Sequence, residues 1–182
     1  MIEKFKINIP DTHIKEIYNK VKNFPWHEMP DDGGWKYGTN LDYMKEISTY
    51  WVNNFNWRKQ ESEINKFSNF TTKIDDIKIH LILEKGSGPN PTPLLLMHGW
   101  PGSFIEFFPI INKLAHPEKF GGKIEDAFDV IVPSLPGFGF SSKPLRPMGP
   151  RKMSKILNTL MVKNLGYKNY LAQGGDWGAT IC

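Results

Sequence analysis

The sequence predicts an α/β chain, with a helical arm over residues 1–66 followed by a sheet-forming region over 67–182 whose strands alternate with helices. Three observations carry that prediction. Apolar residues recur at helical spacing up to about residue 66, and from Phe67 the period switches to two. Beyond residue 93, short apolar runs take turns with amphipathic stretches, the alternation that lays helices over the faces of a parallel sheet.

In the arm, Ile14, Ile17, Tyr18 and Val21 line one face of a helix over 11–24, entered through Pro10-Asp11-Thr12 and stopped by Pro25. Trp26 to Gly38 reads as loop. A second helix follows Asn40, marked by Leu41, Met44, Ile47, Trp51 and Phe55, and a third spans Trp57 to Lys66. His13 and His27 have no carboxylate or cysteine at ligand spacing and read as surface or packing residues.

Phe70, Thr72 and Ile74, then Asp75-Asp76, then Ile77, Ile79, Leu81 and Leu83 describe a hairpin in a half-buried sheet. On that alternation His80 falls on the polar face and is expected to be exposed. Gly86 to Pro93 is a loop, and Leu94-Leu95-Leu96-Met97 is the continuous apolar run of a strand covered on both faces. His98-Gly99-Trp100-Pro101-Gly102-Ser103 follows, with Ser103 and Glu106 at capping-box spacing and Pro109 interrupting or restarting the helix they open. His116, beside Pro117, is expected in a polar, exposed connection. Phe128 to Val132 is the next strand, Pro133 to Ser142 a rigid aromatic loop, and Met153, Ile156, Leu157, Leu160 and Met161 one face of a helix.

Tyr170 to Ala179 reads as a short apolar strand, a glycine-pinched turn and the start of a helix. That is the layout of a nucleophile elbow, where only small neighbours let the chain turn sharply enough to thrust its central side chain outward. Gly174, Gly178 and Ala179 are those neighbours, and Asp176 stands where G-x-S-x-G has serine. A carboxylate nucleophile suits attack on a saturated carbon with a strained or good leaving group, such as an epoxide or alkyl halide. The resulting ester on Asp176 then needs water, a general base and an oxyanion hole. The backbone N–H groups of Trp100 and Trp177 are placed to be the two donors, with His98, Gly99 and Pro101 shaping the loop that carries the first.

With these residues in view the chain resembles the epoxide hydrolases of the microsomal and juvenile-hormone type, within the α/β-hydrolase superfamily. His98 to Phe104 is similar to that family's H-G-x-P loop, Pro133 to Ser142 to its P-S-L-P-G-[FY]-G-[FW]-S loop, and Gly174 to Gly178 to its elbow. The arm, with Trp57-Arg58-Lys59-Gln60-Glu61, resembles its N-terminal domain. The resemblance implies the first half of an α/β-hydrolase sheet, an incomplete fold, with Asp176 as the alkylated residue. It also implies a water-activating histidine with its acid, and cap tyrosines that protonate the epoxide oxygen, all C-terminal to the nucleophile.

The chain departs from that pattern at its end. Cys182 lies six residues past Asp176, and the five histidines, His13, His27, His80, His98 and His116, all precede it. The expectation is a fragment, with the sheet edge beside Asp176 unpaired and no turnover by this polypeptide alone. The alternatives are a haloalkane dehalogenase-like hydrolase, in which Trp177 would hold halide, or an inert interaction module.

Composition bounds the rest. With 40% hydrophobic, 23% charged and 13% aromatic residues in 182, the chain has the makings of one sizeable core. The net charge of +4 comes from basic and acidic residues spread along the chain, and pI alone does not argue for nucleic acid. A single cysteine, Cys182, excludes an intrachain disulfide and favours a reducing, cytoplasmic setting, with no apolar run long enough for a membrane span. No metal or organic cofactor is implied. Trp100, Phe138, Phe140 and Trp177 suggest a small apolar epoxide as substrate.

Overall fold

A computed structural model of the chain describes residues 1–28 and 34–182. It divides into two compact units, one of residues 7–64 and one of residues 1–6 and 65–182. The loop expected from Trp26 to Gly38 lies partly outside the described residues.

The unit of residues 7–64 is helical. After β1 (Ile2–Lys4), which belongs to the other unit, come α1 (Asp11–Lys22), α2 (Leu41–Asn54) and α3 (Trp57–Ile64). Asn40 caps α2, its Oδ1 accepting the Tyr43 N–H at 3.0 Å, which satisfies one of the N–H groups a helix start leaves free. Glu61, one turn into α3, accepts from the Ile9 N–H at 2.7 Å and from Arg58 at 2.6 Å, and Arg58 also reaches the Ile9 carbonyl at 2.8 Å. This pair ties the segment before α1 to α3.

The larger unit is built on a six-stranded sheet. Its strands are β1, β2 (Asn69–Ile74), β3 (Ile77–Glu84), β4 (Thr92–Met97), β5 (Phe128–Pro133) and β6 (Leu171–Gly174), in the order β1-β2-β3-β5-β4-β6. The expected β2–β3 hairpin turns through Asp75, at φ 51°. β4 pairs in parallel with both β5 and β6, while the other neighbours are antiparallel, so the sheet is mixed. The apolar periodicity predicts no strand at residues 2–4. β1 has no apolar pattern to betray it and is held by backbone pairing to β2.

Ser103 and Glu106 form the expected capping box. The helix they open is first a 3₁₀ turn over Phe104–Phe107, and α4 (Phe108–Ala115) restarts at Pro109, whose fixed φ and missing N–H suit a first turn. α5 (Pro150–Thr159) runs into a π-helical turn over Leu160–Asn164. Its Ile156 and Leu157, with Leu160 and Met161, pack on Ile79, Leu81, Leu95, Met97 and Ile131 to form the core. Leu95, Leu96 and Met97 are all at 2% exposure or less, as a strand with both faces covered requires. β6 ends the sheet, and its Leu171, Ala172 and Gln173 are exposed.

Two histidines differ from expectation. His80 is fully buried, because from Ile79 to Ile82 both faces of β3 are covered and alternation no longer sorts inside from outside. Its Nδ1 meets Ser134 Oγ at 2.9 Å and its Nε2 meets Asn69 Oδ1 at 3.0 Å. His116 is half-buried at the end of α4, with Nδ1 2.5 Å from Ser87 Oγ and Nε2 3.6 Å from Glu84. His13 and His27 are exposed.

Candidate active site

The parallel register of β4 and β6 sets Met97 opposite Gly174, so the segments leaving both strands emerge side by side at one edge of the sheet. The turn between β6 and α6 (Trp177–Ile181) lies hard against β4. A Cβ on Gly178 would stand 2.2 Å from the Met97 carbonyl oxygen, and one on Gly174 would stand 2.3 Å from the Gly178 carbonyl carbon. Only glycine allows that approach. Between them Asp176 sits at φ 53°, ψ −122°, a strained setting for a non-glycine residue and the one an elbow imposes on its central residue. Its carboxylate is exposed.

Across the gap, the Trp100 N–H donates to Asp176 Oδ1 at 2.8 Å. The Trp100–Pro101 peptide is cis. The N–H groups of Trp100, foremost, and of Trp177 hold the Asp176 carboxyl below the usual carboxylate range, so it is ionised at neutral pH. His98 is buried with both ring nitrogens engaged: Nε2 accepts from the Leu135 N–H at 3.1 Å, and Nδ1 lies 3.0 Å from the Gly99 carbonyl. An amide can only donate and a carbonyl only accept, so the ring is neutral with its proton on Nδ1, and burial pushes its pKa down. It is a strut of the loop, with no nitrogen left over for water.

Trp100, Phe138, Met148, Pro150, Met153 and Trp177 line a cleft of about 440 Å³. Its three aromatic members are those the sequence suggests, whereas Met148, Pro150 and Met153 are not marked out in the sequence as site residues. Their signal, two methionines on the side of α5 and its approach, is indistinguishable in sequence from core packing. Phe140, expected near the site, packs instead against His80 and Phe104 at ring distances of 5.3 and 5.8 Å. Among the described residues no group of three His, Cys, Asp or Glu side chains is gathered to hold a metal ion, and no helix is long and apolar enough to cross a membrane.

A family model described as epoxide hydrolase N terminus matches residues 2–107, more than half of the chain. The chain belongs to the epoxide hydrolase family. A second model, described as alpha/beta hydrolase fold, matches residues 92–182 of this epoxide hydrolase chain. Epoxide hydrolase 1 of Sus scrofa is 39% identical over 186 residues, an alignment covering 100% of this chain and 41% of that protein. The crystal structure of juvenile hormone epoxide hydrolase from the silkworm Bombyx mori superposes with a TM-score of 0.87 at 34% identity, over 100% of this chain and 43% of that one. The Aspergillus niger epoxide hydrolase structure gives a TM-score of 0.88 at 29% identity, over 100% and 48%. The chain thus spans about two fifths of the length of its curated relatives, and its sheet and helices form the N-terminal part of an α/β-hydrolase fold. The helical arm falls inside the matched epoxide hydrolase N terminus, which weighs against the dehalogenase and inert-module alternatives.

Proposed function

We propose that this epoxide hydrolase chain carries the nucleophilic half of a site that opens small apolar epoxides to diols through an ester on Asp176. The single observation supporting it most strongly is the 2.8 Å hydrogen bond from the Trp100 N–H to an exposed, ionised carboxylate at a positive-φ elbow. One Asp176 oxygen forms a bond to an epoxide carbon from the side opposite the ring oxygen, the ring C–O bond breaks, and the alkoxide takes up a proton. Water then adds to the ester carbonyl. The oxyanion of that step falls to the N–H groups of Trp100 and Trp177, the carboxylate is regenerated and the diol leaves. By resemblance, the proton comes from cap tyrosines and the water's base is a histidine with its acid, all C-terminal to the nucleophile in sequence.

The apolar cleft beside the elbow favours an apolar substrate, because burial of an aryl or alkyl group against Trp100, Phe138 and Met153 is worth roughly 25 cal/mol per Å². Incubation of the 182-residue chain with styrene oxide, followed by peptide mass spectrometry, tests the reading. One epoxide adduct on Asp176, absent in Asp176→Asn, supports it; a folded protein that stays unmodified at Asp176 overturns it.

A further inference from the structure

We propose that His80, remote in sequence from the elbow, is a positioning residue for this site, fixing the Pro133–Ser142 loop and through it the cleft wall and the Trp100 donor. The proposal rests on the reading of Asp176 just given. Hydrogen-bond direction settles how the ring is held. Asn69 Nδ2 donates to the Phe67 carbonyl at 2.9 Å, so Asn69 Oδ1 faces His80 and must accept from Nε2–H. His80 Nδ1 is therefore the acceptor, and Ser134 Oγ–H donates to it.

The backbone of His80 grips the same loop. Its carbonyl accepts the Ser134 N–H at 2.8 Å, and its N–H donates to Ser141 Oγ at 2.9 Å, whose hydroxyl in turn donates to the Ser134 carbonyl at 2.7 Å. Both ends of the loop are thus pinned to one residue of β3. Phe5, Phe104 and Phe140 enclose the imidazole at ring distances of 5.6, 4.9 and 5.3 Å. Burial pushes the His80 pKa down to about 4, so the ring is neutral at any pH near 7. The loop has no slack around Ser134: at Gly139, with φ 49°, a Cβ would stand 2.5 Å from Ser134 Oγ.

From the pinned loop two paths lead to the site. Phe138, whose ring lies 5.2 Å from that of His98, forms part of the cleft. Leu135, next to Ser134, gives its N–H to His98 Nε2, and His98 precedes the Gly99–Trp100 segment whose N–H binds Asp176. Among the described residues no buried side-chain polar atom lacks a partner, so the network is fully satisfied.

The test compares His80→Phe, which keeps a buried ring and removes both ring hydrogen bonds, with Ser134→Ala, which removes the ring bond toward the loop, and Asn69→Ala, which removes the ring bond away from the loop together with the Asn69–Phe67 bond. Single-turnover alkylation of Asp176 by styrene oxide and the backbone amide resonance of Trp100 are read in each. The expected result is a maximal alkylation rate about tenfold lower in Ser134→Ala and His80→Phe, the scale of a small misplacement of reacting groups, with a moved Trp100 amide. Asn69→Ala keeps the wild-type rate and resonance even where its melting temperature falls. An unmoved Trp100 amide and unchanged rate in folded Ser134→Ala, or equal losses in Ser134→Ala and Asn69→Ala, would overturn the proposal. If wild type is not alkylated at all, the reading of Asp176 fails, while the Trp100 resonance still decides the part assigned to His80.

Discussion

Gly99 and Asp176 leave no room for each other to change: a Cβ on Gly99 would stand 2.5 Å from both Cβ and Oδ1 of Asp176. Gly99 is thus required by a side chain 77 positions further along the sequence, over and above any demand of its own turn. The close approach brings the next residue's N–H onto the carboxylate.

Gly99→Ala should push the carboxylate or the Trp100 loop aside. The expected outcome is a loss of about one hundredfold in alkylation of Asp176, since a shift on the order of 1 Å at reacting atoms has that effect, with a cooperative unfolding transition retained. Quenched-flow mass spectrometry with styrene oxide measures the first and urea unfolding the second.

The pH dependence of alkylation has a definite sign. Asp176 is held below its ordinary value of 3.8 by the Trp100 and Trp177 N–H groups. The ionised form is therefore fully populated above that value and lost only as pH falls through the lower, folded one. Alkylation by styrene oxide should be flat between pH 5 and 8. A sigmoidal fall centred near 6 would show that some other group governs attack.

Stability should respond in a different window. His80 has its folded pKa lowered from 6.5 to about 4, so the unfolded chain binds the proton first and folding is opposed as pH drops below 6.5. The expected loss is up to about 1.4 kcal/mol per pH unit, reaching roughly 3 kcal/mol near pH 4, and burial of His98 acts in the same direction. Urea midpoints for wild type and His80→Phe should differ in slope across pH 6.5 to 4, the variant being flatter.

Asp129 offers a control at the opposite edge of the sheet. It is 5% exposed and accepts from Gly86 N–H at 2.9 Å, Lys85 Nζ at 2.8 Å and Tyr167 O–H at 2.6 Å. Burial raises its pKa, but those three donors outweigh it and hold the carboxyl low. Asp129→Ala leaves the Gly86 N–H and the Tyr167 O–H without their acceptor, Tyr167 still accepting from Lys85 at 2.7 Å, and should lower the unfolding free energy by about 2 kcal/mol. The single-turnover rate at Asp176 should not change.

The residue types of the elbow, the capping box at Ser103 and Glu106 and the restart at Pro109 were all legible in the sequence. Each expresses a steric or hydrogen-bonding demand met within a few neighbouring residues. β1 was not legible, since three residues without pattern gain their place only from the β2 backbone. Met148 and Met153 were hidden for a related reason, because a methionine facing a cleft and one facing a core look alike until the opposite wall is known.

What the sequence determined by itself was the family's local chemistry: a carboxylate on a turn pinched by glycine, and a histidine-glycine loop after a covered strand. The tertiary structure alone decided that these meet, by pairing Met97 with Gly174 so that an amide and a carboxylate 76 residues apart lie at 2.8 Å. It also decided that His80 is inside. Local pattern reports which residues share a side of a strand, whereas burial depends on what the rest of the chain lays over that side, and over this strand it covers both.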